Sequence, residues 1–172
     1  MVRTELFSSR RLIRAAIILG GAVSMVSAAD TAPSNSPRCI RVSGFFDEQV
    51  VTSGCSSAVG LCTGSLYQGD LTADSFFTAS TIVPTADTPG TGVVFATGES
   101  ILTNARVGGK RGSLTIKNAA VFHTAGDGEL LDVQTIVGGS DDLAGATGVI
   151  RAVGNFVNGA GRSTFDGSIC LP

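Results

Sequence analysis

The chain has few of the side chains that metal or nucleic-acid chemistry requires. Its 172 residues include no tryptophan, one tyrosine and one histidine, and only 15% of them are charged. A single histidine, with no Cys-x-x-Cys pair, leaves too few ligands for a zinc site. The net charge is −2 and no basic cluster follows Arg14, so a nucleic-acid-binding surface is missing. We expect no metal and no nucleic-acid partner.

Recognisable catalytic motifs are also missing. There is no Gly-rich phosphate loop and no Ser-His-Asp order. We therefore expect a protein without a metal or organic cofactor, and the sequence leaves open whether it is an enzyme.

Glycine, in contrast, is abundant. The chain contains 23 glycines, and 43% of its residues are hydrophobic. Each glycine inside a helix costs about 1 kcal/mol, so this composition argues against long helices and favours strands with tight turns. The length suits one domain.

The N-terminus has the pattern of an export signal. Arginines precede an apolar stretch over 15–26, and Val26-Ser27-Ala28 gives compact residues at a cleavage site. The stretch is too short to span a bilayer, so we expect no membrane insertion. We predict a signal peptide over 1–28 and a flexible linker over 29–38. Sec export is the default; Ser9-Arg10-Arg11 also resembles a twin-arginine signal. The predicted location is secreted or periplasmic.

All four cysteines lie beyond the predicted cleavage site. An even number of cysteines in an exported chain favours disulfides, and three pairings are possible. Cys39 begins the first strand-like segment and Cys170 ends the last, whereas Cys55 and Cys62 bracket a short loop. Pairing 39 with 170 and 55 with 62 is the topologically simplest choice.

The predicted domain, 39–172, divides into strand-like runs separated by turn residues. Gly69-Asp70 breaks the longest run, which gives seven or eight strands. The connections are too short for crossover helices, so the sheet should be antiparallel. Ser140-Asp141-Asp142 before Leu143 predicts a capped helical turn near 140–144. The runs are 39–51, 64–83, 91–104, 111–122, 129–137, 145–157 and 162–170.

Alternation along these runs predicts a closed barrel. In 111–122 the even-numbered residues, from Leu114 to Phe122, form an apolar face, whereas both faces of 91–104 are partly apolar. A closed barrel produces such strands, because its interior holds side chains or a ligand while its outer face is covered by neighbours or loops. The predicted fold class is all-β, a single antiparallel up-and-down barrel of about eight strands. A transmembrane barrel would need aromatic girdles, which one tyrosine and no tryptophan cannot supply.

The segment from Thr135 to Gly148, TIVGGSDDLAGATG, is similar to the late hairpin shared by allene oxide cyclases and dirigent proteins. The strand from Arg111 to Lys117 resembles the Gly-x-Ile/Leu strand of the same barrel, and the resemblance covers about 91–157. It implies an allene-oxide-cyclase-like barrel with an enclosed, largely apolar pocket, in some members of these families within dimers or trimers. A disulfide joining the N- and C-terminal regions also resembles the dirigent arrangement. The glutamate and asparagine that allene oxide cyclases carry on the first strand have no Glu-x-Asn counterpart in 39–48.

Three polar residues are candidate catalytic groups. Glu99 would be a carboxylate in an apolar cavity if the face of Val93 and Ile101 points inward, and a solvated surface residue on the other register. Arg151 offers a planar fork for an anionic or carbonyl ligand, or is simply a surface arginine. Asn118 lies on the clearly apolar face of 111–122, where it either meets a ligand or bonds to backbone.

Aromatic residues and further acids complete the candidates. We predict ligand contacts from Tyr67, Phe95 and Phe122. The single histidine, His123, stands beside a turn, where exposure is the commoner outcome. The remaining acidic candidates are Asp47, Glu48 and Asp132.

Two functions fit these patterns. The first is an exported, cofactor-free barrel that binds a small lipophilic or reactive intermediate and steers its cyclisation, isomerisation or coupling. The second is a non-catalytic barrel that binds a small hydrophobic molecule or is purely structural. The first requires a pocket of at least about 300 Å³ with Glu99, Asn118 or Arg151 projecting into it. A homodimer or homotrimer is compatible with either function.

Overall fold

The computed structural model describes residues 37–84 and 92–172. The predicted signal peptide, and all of the predicted linker except its last two residues, lie outside these ranges. Eight strands follow one another within them, with one 3-10 turn between the sixth and the seventh. The strands are β1 (Arg38–Val50), β2 (Cys62–Gly69), β3 (Leu71–Pro84), β4 (Val93–Val107), β5 (Lys110–His123), β6 (Glu129–Gly139), β7 (Thr147–Val157) and β8 (Ala160–Leu171), and the turn is η1 (Asp141–Leu143).

The strands form a closed antiparallel barrel in chain order. Each pairs with its neighbours in sequence, and β1 closes the barrel against β8 over twelve paired positions, from Arg38 to Gln49. The all-β, up-and-down fold predicted from the turn spacing is confirmed. The break between β2 and β3 falls at Asp70, because Gly69 at φ 128° adopts a backbone conformation that other residues avoid.

The interior divides into two halves of different composition. In the half that contains the β2–β3, β4–β5 and β6–β7 connections, large aliphatic side chains fill the space, and Leu143 of η1 covers the end. Burying each such side chain stabilises the fold by about 1.5 to 3 kcal/mol. This packed half contains the fully buried residues Leu71, Leu102, Leu114, Ile136, Ile150 and Ile169.

The other half carries smaller residues on the inner face. On β4 the inward positions are Ala96, Gly98 and Ser100. A Cβ on Gly98 would collide with the ring of Phe77 on β3 and with the backbone of Thr78. Because these positions are small, the barrel keeps space inside this half, which we call the cavity half.

Two disulfides connect the cysteines. Cys39 is bonded to Cys170, its direct register partner across the β1–β8 seam, and Cys55 is bonded to Cys62. Both predicted pairings are confirmed. Disulfides persist in oxidising compartments, so the protein belongs to an oxidising, extracellular-type environment.

The predicted helical turn is present, but its predicted cap is wrong. Ser140 makes no side-chain hydrogen bond to the turn's N–H groups. Its hydroxyl instead accepts hydrogen bonds from the backbone N–H and the hydroxyl of Ser113 on β5 and donates to Asp141. Ser140 therefore ties the turn to the barrel wall.

Candidate functional site

A cavity of about 270 Å³ occupies the cavity half of the barrel. It is slightly smaller than the roughly 300 Å³ at which ligand pockets usually begin. Five aromatic rings line it: Phe46, Tyr67, Phe77, Phe122 and Phe156. The space suits a compact molecule of about ten heavy atoms, mostly apolar.

A chain of hydrogen bonds crosses the inner wall and ends on one carboxyl group. Ser100 Oγ donates to Asn118 Oδ1 (2.9 Å), and Asn118 Nδ2 donates to Asp132 Oδ2 (2.8 Å). From the other side, Tyr67 Oη donates to Gln134 Oε1 (3.1 Å), and Gln134 Nε2 donates to the same Asp132 Oδ2 (3.0 Å). Four strands contribute to this network, and each amide is fixed in orientation by the bonds at both of its ends.

Asp132 is the buried acceptor of this network. Only 7% of the residue is exposed, and its Oδ1 atom has no hydrogen-bond partner among the described residues. Burial raises the pKa of Asp132, and the bonds from Asn118, Gln134 and the backbone of Ala119 lower it in part. Asp132 lines the cavity, but its Oδ1 atom lies within the wall and is an unsatisfied acceptor there.

Glu48 supplies a second carboxyl group to the same cavity. It lies near the end of β1, and Thr63 Oγ1 on β2 donates a hydrogen bond to its Oε2 (3.2 Å). Burial raises the pKa of Glu48 to about 7; Thr63 works against this shift, and the nearby charge of Asp132 adds to it. At neutral pH, therefore, Glu48 is divided between its acid and base forms.

Tyr67 lies between the two acids. Its ring stacks on Phe46 at 4.6 Å between centroids and contacts Phe165 at 5.5 Å. Burial, and next the charge of Asp132, raise the pKa of Tyr67 well above its ordinary value, so the phenol stays protonated. It acts as a donor, not as a base.

No protein-family model matches this chain. No curated protein sequence matches it either.

The described part of the chain offers no group of three or more His, Cys, Asp or Glu residues arranged for a metal ion. Among the described residues, no helix has the length and apolar character needed to cross a membrane.

Three of the six residues predicted to act on or contact a ligand line the cavity. Asn118 lies inside, bonded to side chains and not to backbone, and Tyr67 and Phe122 also face the space. Their roles toward a ligand stay predictions.

The other three lie on the outer surface: Glu99 and Arg151 take the surface alternative, which rules out their catalytic one, and the ligand contact predicted for Phe95 is wrong. Glu99 forms an ion pair with Lys117 of β5, and Arg151 lies 3.6 Å from Asp166 of β8. Phe95 is 46% exposed. The odd-numbered face of β4 points outward because Phe77 occupies the space over Gly98 on the inner face, and Arg151 points outward because Ile150 and Ala152 fill the inner face of β7.

The remaining candidates separate in the same way. Asp47 points outward and forms an ion pair with Arg162 (2.7 Å), whereas its neighbour Glu48 points inward. His123, at the end of β5, is half-buried and is not part of the cavity wall.

Sequence reasoning did not find Ser100 or Gln134. Gln134 is 2% exposed and holds both Tyr67 and Asp132. The signal for it was present: Leu130, Asp132, Gln134 and Ile136 alternate on one face of β6, and a glutamine in such a row needs a buried partner.

The outer surface carries an apolar row across five adjacent strands. Register pairs connect Val83 to Phe95, Phe95 to Val121, Val121 to Leu131 and Leu131 to Val153. Four of the five residues are more than 40% exposed. We call this set the outer apolar row.

Proposed function

We propose that the barrel binds a small, largely apolar molecule in the cavity and steers its cyclisation, isomerisation or coupling without a cofactor. The observation that carries the proposal is a pair of carboxyl groups, Glu48 and Asp132, on the wall of a cavity that is otherwise mainly aromatic and aliphatic. Such a cavity removes a reactive molecule from water and holds it in one conformation.

Glu48 is the proposed acid–base group. A catalytic acid or base works best when its pKa lies near the working pH, and the pKa of Glu48 is raised to about 7. Asp132 and Tyr67 act by position, because the Ser100–Asn118 and Gln134 bonds fix both groups in space. The resemblance to allene oxide cyclases and dirigent proteins supports an enclosed, largely apolar pocket, and it assigns no role to Glu48 or Asn118.

The size of the cavity limits the substrate. A volume of about 270 Å³ holds about ten heavy atoms, so a long-chain lipid would extend out of the barrel. We expect a compact ring or short branched skeleton with one polar end.

The non-catalytic alternative shares the binding step and differs at Glu48. If the barrel only binds its ligand, no product forms, and replacement of Glu48 by glutamine changes only the affinity for the ligand. If it converts its ligand, Glu48→Gln lowers turnover at saturating ligand by about 10² to 10⁴, the usual contribution of a general acid or base.

Tyr67 makes the binding step measurable, because it is the only tyrosine and the chain has no tryptophan. Its fluorescence reports on the cavity wall and on nothing else. We expect a saturable change when the protein is titrated with cyclohexyl compounds that carry one polar group and do not absorb with tyrosine.

Ala120→Phe and Ala119→Phe form a matched pair for this titration. Ala120 lines the cavity, and the preceding residue, Ala119, is exposed on the outer face. The first variant should abolish the change and the second should leave it intact, with circular dichroism to confirm that both fold. No saturable change with any of the compounds in the wild type would overturn the proposal.

Export is proposed on two observations. The N-terminal pattern of arginines, apolar stretch and compact cleavage site predicts a signal peptide over 1–28, and both disulfides fit an oxidising compartment. Mass spectrometry of the protein expressed with its N-terminus in a bacterial host should find a mature chain that begins at Ala29.

The homodimer or homotrimer also remains a proposal. The outer apolar row supports it, since exposed apolar patches on soluble proteins often mark interfaces. A second copy of the chain is the occupant we expect.

A further inference from the structure

The cavity contains two carboxyl groups and no positively charged partner for either. Of the described residues that line it, the titratable ones are Glu48 on β1, Tyr67 on β2 and Asp132 on β6, and none is lysine, arginine or histidine. Three nearby cations point elsewhere: Lys117 and Arg162 pair with Glu99 and Asp47 on the outer surface, and Arg151 faces Asp166. A buried carboxylate is normally paired with a cation, and neither Glu48 nor Asp132 has such a partner among the described residues of the cavity wall.

The hydrogen bonds around Asp132 favour its charged form nonetheless. Two amide N–H donors converge on Oδ2, and amide donors stabilise a carboxylate more than a carboxylic acid. Oδ1, buried in the same wall, has no hydrogen-bond partner among the described residues. The wall thus holds one carboxyl oxygen of Asp132 with two donors and leaves the other, buried oxygen without one.

The aromatic wall adds an independent preference. Phe46, Tyr67, Phe77, Phe122 and Phe156 surround the same space. The faces of aromatic rings attract cations, by about 0.5 to 2 kcal/mol for each well-placed ring. A neutral hydroxyl would donate one hydrogen bond to Asp132 but would use neither the ring faces nor the second acid.

We propose that the cavity is built for a small lipophilic amine, bound as its ammonium ion to the carboxyl groups of Glu48 and Asp132 with its hydrocarbon part against the aromatic rings. This inference rests on the proposed function, because it names the chemical class of the molecule bound in the same cavity. An ammonium group has three N–H donors, enough for the carboxyl groups of Asp132 and Glu48 and one further acceptor.

The test compares two ligands of the same skeleton, cyclohexylmethylamine and cyclohexylmethanol. The first is a cation throughout pH 5 to 8, and the second is neutral. Binding is measured by Tyr67 fluorescence and by isothermal titration calorimetry on the disulfide-intact protein. We expect the amine to bind at least tenfold more tightly than the alcohol at pH 8.

The pH dependence supplies a second criterion. Ammonium binding requires ionised carboxyl groups, so amine affinity should fall by up to tenfold per pH unit below about pH 7, where Glu48 takes up its proton. Alcohol affinity should change much less over the same range.

Variants locate the effect. Asp132→Asn and Glu48→Gln keep the side-chain shape and remove one charge each, and each should lower amine affinity at least tenfold at pH 8 while changing alcohol affinity less. Glu129→Gln removes a charge from the exposed start of β6 and serves as the control. If Asp132→Asn does not fold, Glu48→Gln alone decides the question.

The outcomes separate the two proposals. Alcohol affinity equal to or above that of the amine at pH 8 overturns the amine inference and leaves the proposed binding function standing. Equal loss of both ligands in the charge-removing variants also contradicts it, since that indicates a merely structural role. No binding of either ligand overturns both proposals.

Discussion

Replacement of Glu48 by glutamine should change how the stability of the barrel depends on pH. In the native protein burial raises the pKa of Glu48 from 4.5 to about 7. Between these two values the unfolded chain has lost the proton and the native state keeps it. The free energy of unfolding therefore falls as pH rises through this window, because the native state keeps a proton that the unfolded chain has released.

The magnitude follows from the size of the shift. Each pKa unit corresponds to 1.36 kcal/mol, so a shift from 4.5 to about 7 amounts to on the order of 3 kcal/mol. Relative to Glu48→Gln, the wild type should be most stable below pH 4.5 and should lose about this much free energy of unfolding by pH 8. Asp132 is present in both proteins, so the difference between them reports Glu48 together with its charge interaction with Asp132.

Urea unfolding at several values between pH 4 and pH 8.5, with both disulfides intact, measures this difference. Glu129→Gln, which removes an exposed carboxylate, controls for the loss of one negative charge and should not reproduce the slope. A difference between wild type and Glu48→Gln that is constant with pH, or that favours the wild type at high pH, would refute the reasoning. It would mean that Glu48 is solvated and not held in an apolar cavity.

Two further predictions concern the disulfides and the outer surface. Loss of Cys39–Cys170, which closes a separation of 131 residues, should cost about 5 kcal/mol in the chain-entropy model, against about 2 kcal/mol for Cys55–Cys62 with its separation of 7. Denaturation of the two double-serine variants tests this order, and a larger loss from the short loop would contradict it. On the surface, Leu131→Lys in the outer apolar row should convert an oligomer to monomers, whereas Thr135→Lys on the same outer face should not. A wild-type protein that sediments as a monomer would contradict the proposed oligomer.

The fold could be predicted because turns and strand spacing are local properties of a sequence. Glycine-rich connections set the strand boundaries, and connections too short for helices required antiparallel pairing. The pairing of Cys39 with Cys170 followed once the first and last strands were identified. The cap of η1 was not predictable, because the bonds of Ser140 run to Ser113, a residue 27 positions away.

The candidate site was predicted only where one face of a strand was clearly apolar. On β5 the even-numbered face placed Asn118 and Phe122 correctly inside. On β4 and β7 both faces are apolar, since the outer apolar row includes Phe95 and Val153 as well. Period-two alternation cannot choose a register there, so the sequence left open on which side of the barrel wall Glu99 and Arg151 lie.

The network around Asp132 depends on closure of the barrel. Tyr67 and Gln134 are 67 residues apart, and they meet because β2 and β6 lie across the barrel from each other. No short spacing in the sequence encodes such a pair. Closure of the barrel, which depends on the whole strand order, brings them together.

A crystal structure of the protein with cyclohexylmethylamine tests the central claim most directly. The account predicts one molecule inside the cavity half, its nitrogen within hydrogen-bonding distance of the carboxyl groups of Asp132 and Glu48 and its ring against Phe46, Phe77 or Phe122. A cavity half filled by rearranged side chains, or a ligand found only on the outer surface, would contradict the claim that this barrel acts by enclosing a small molecule.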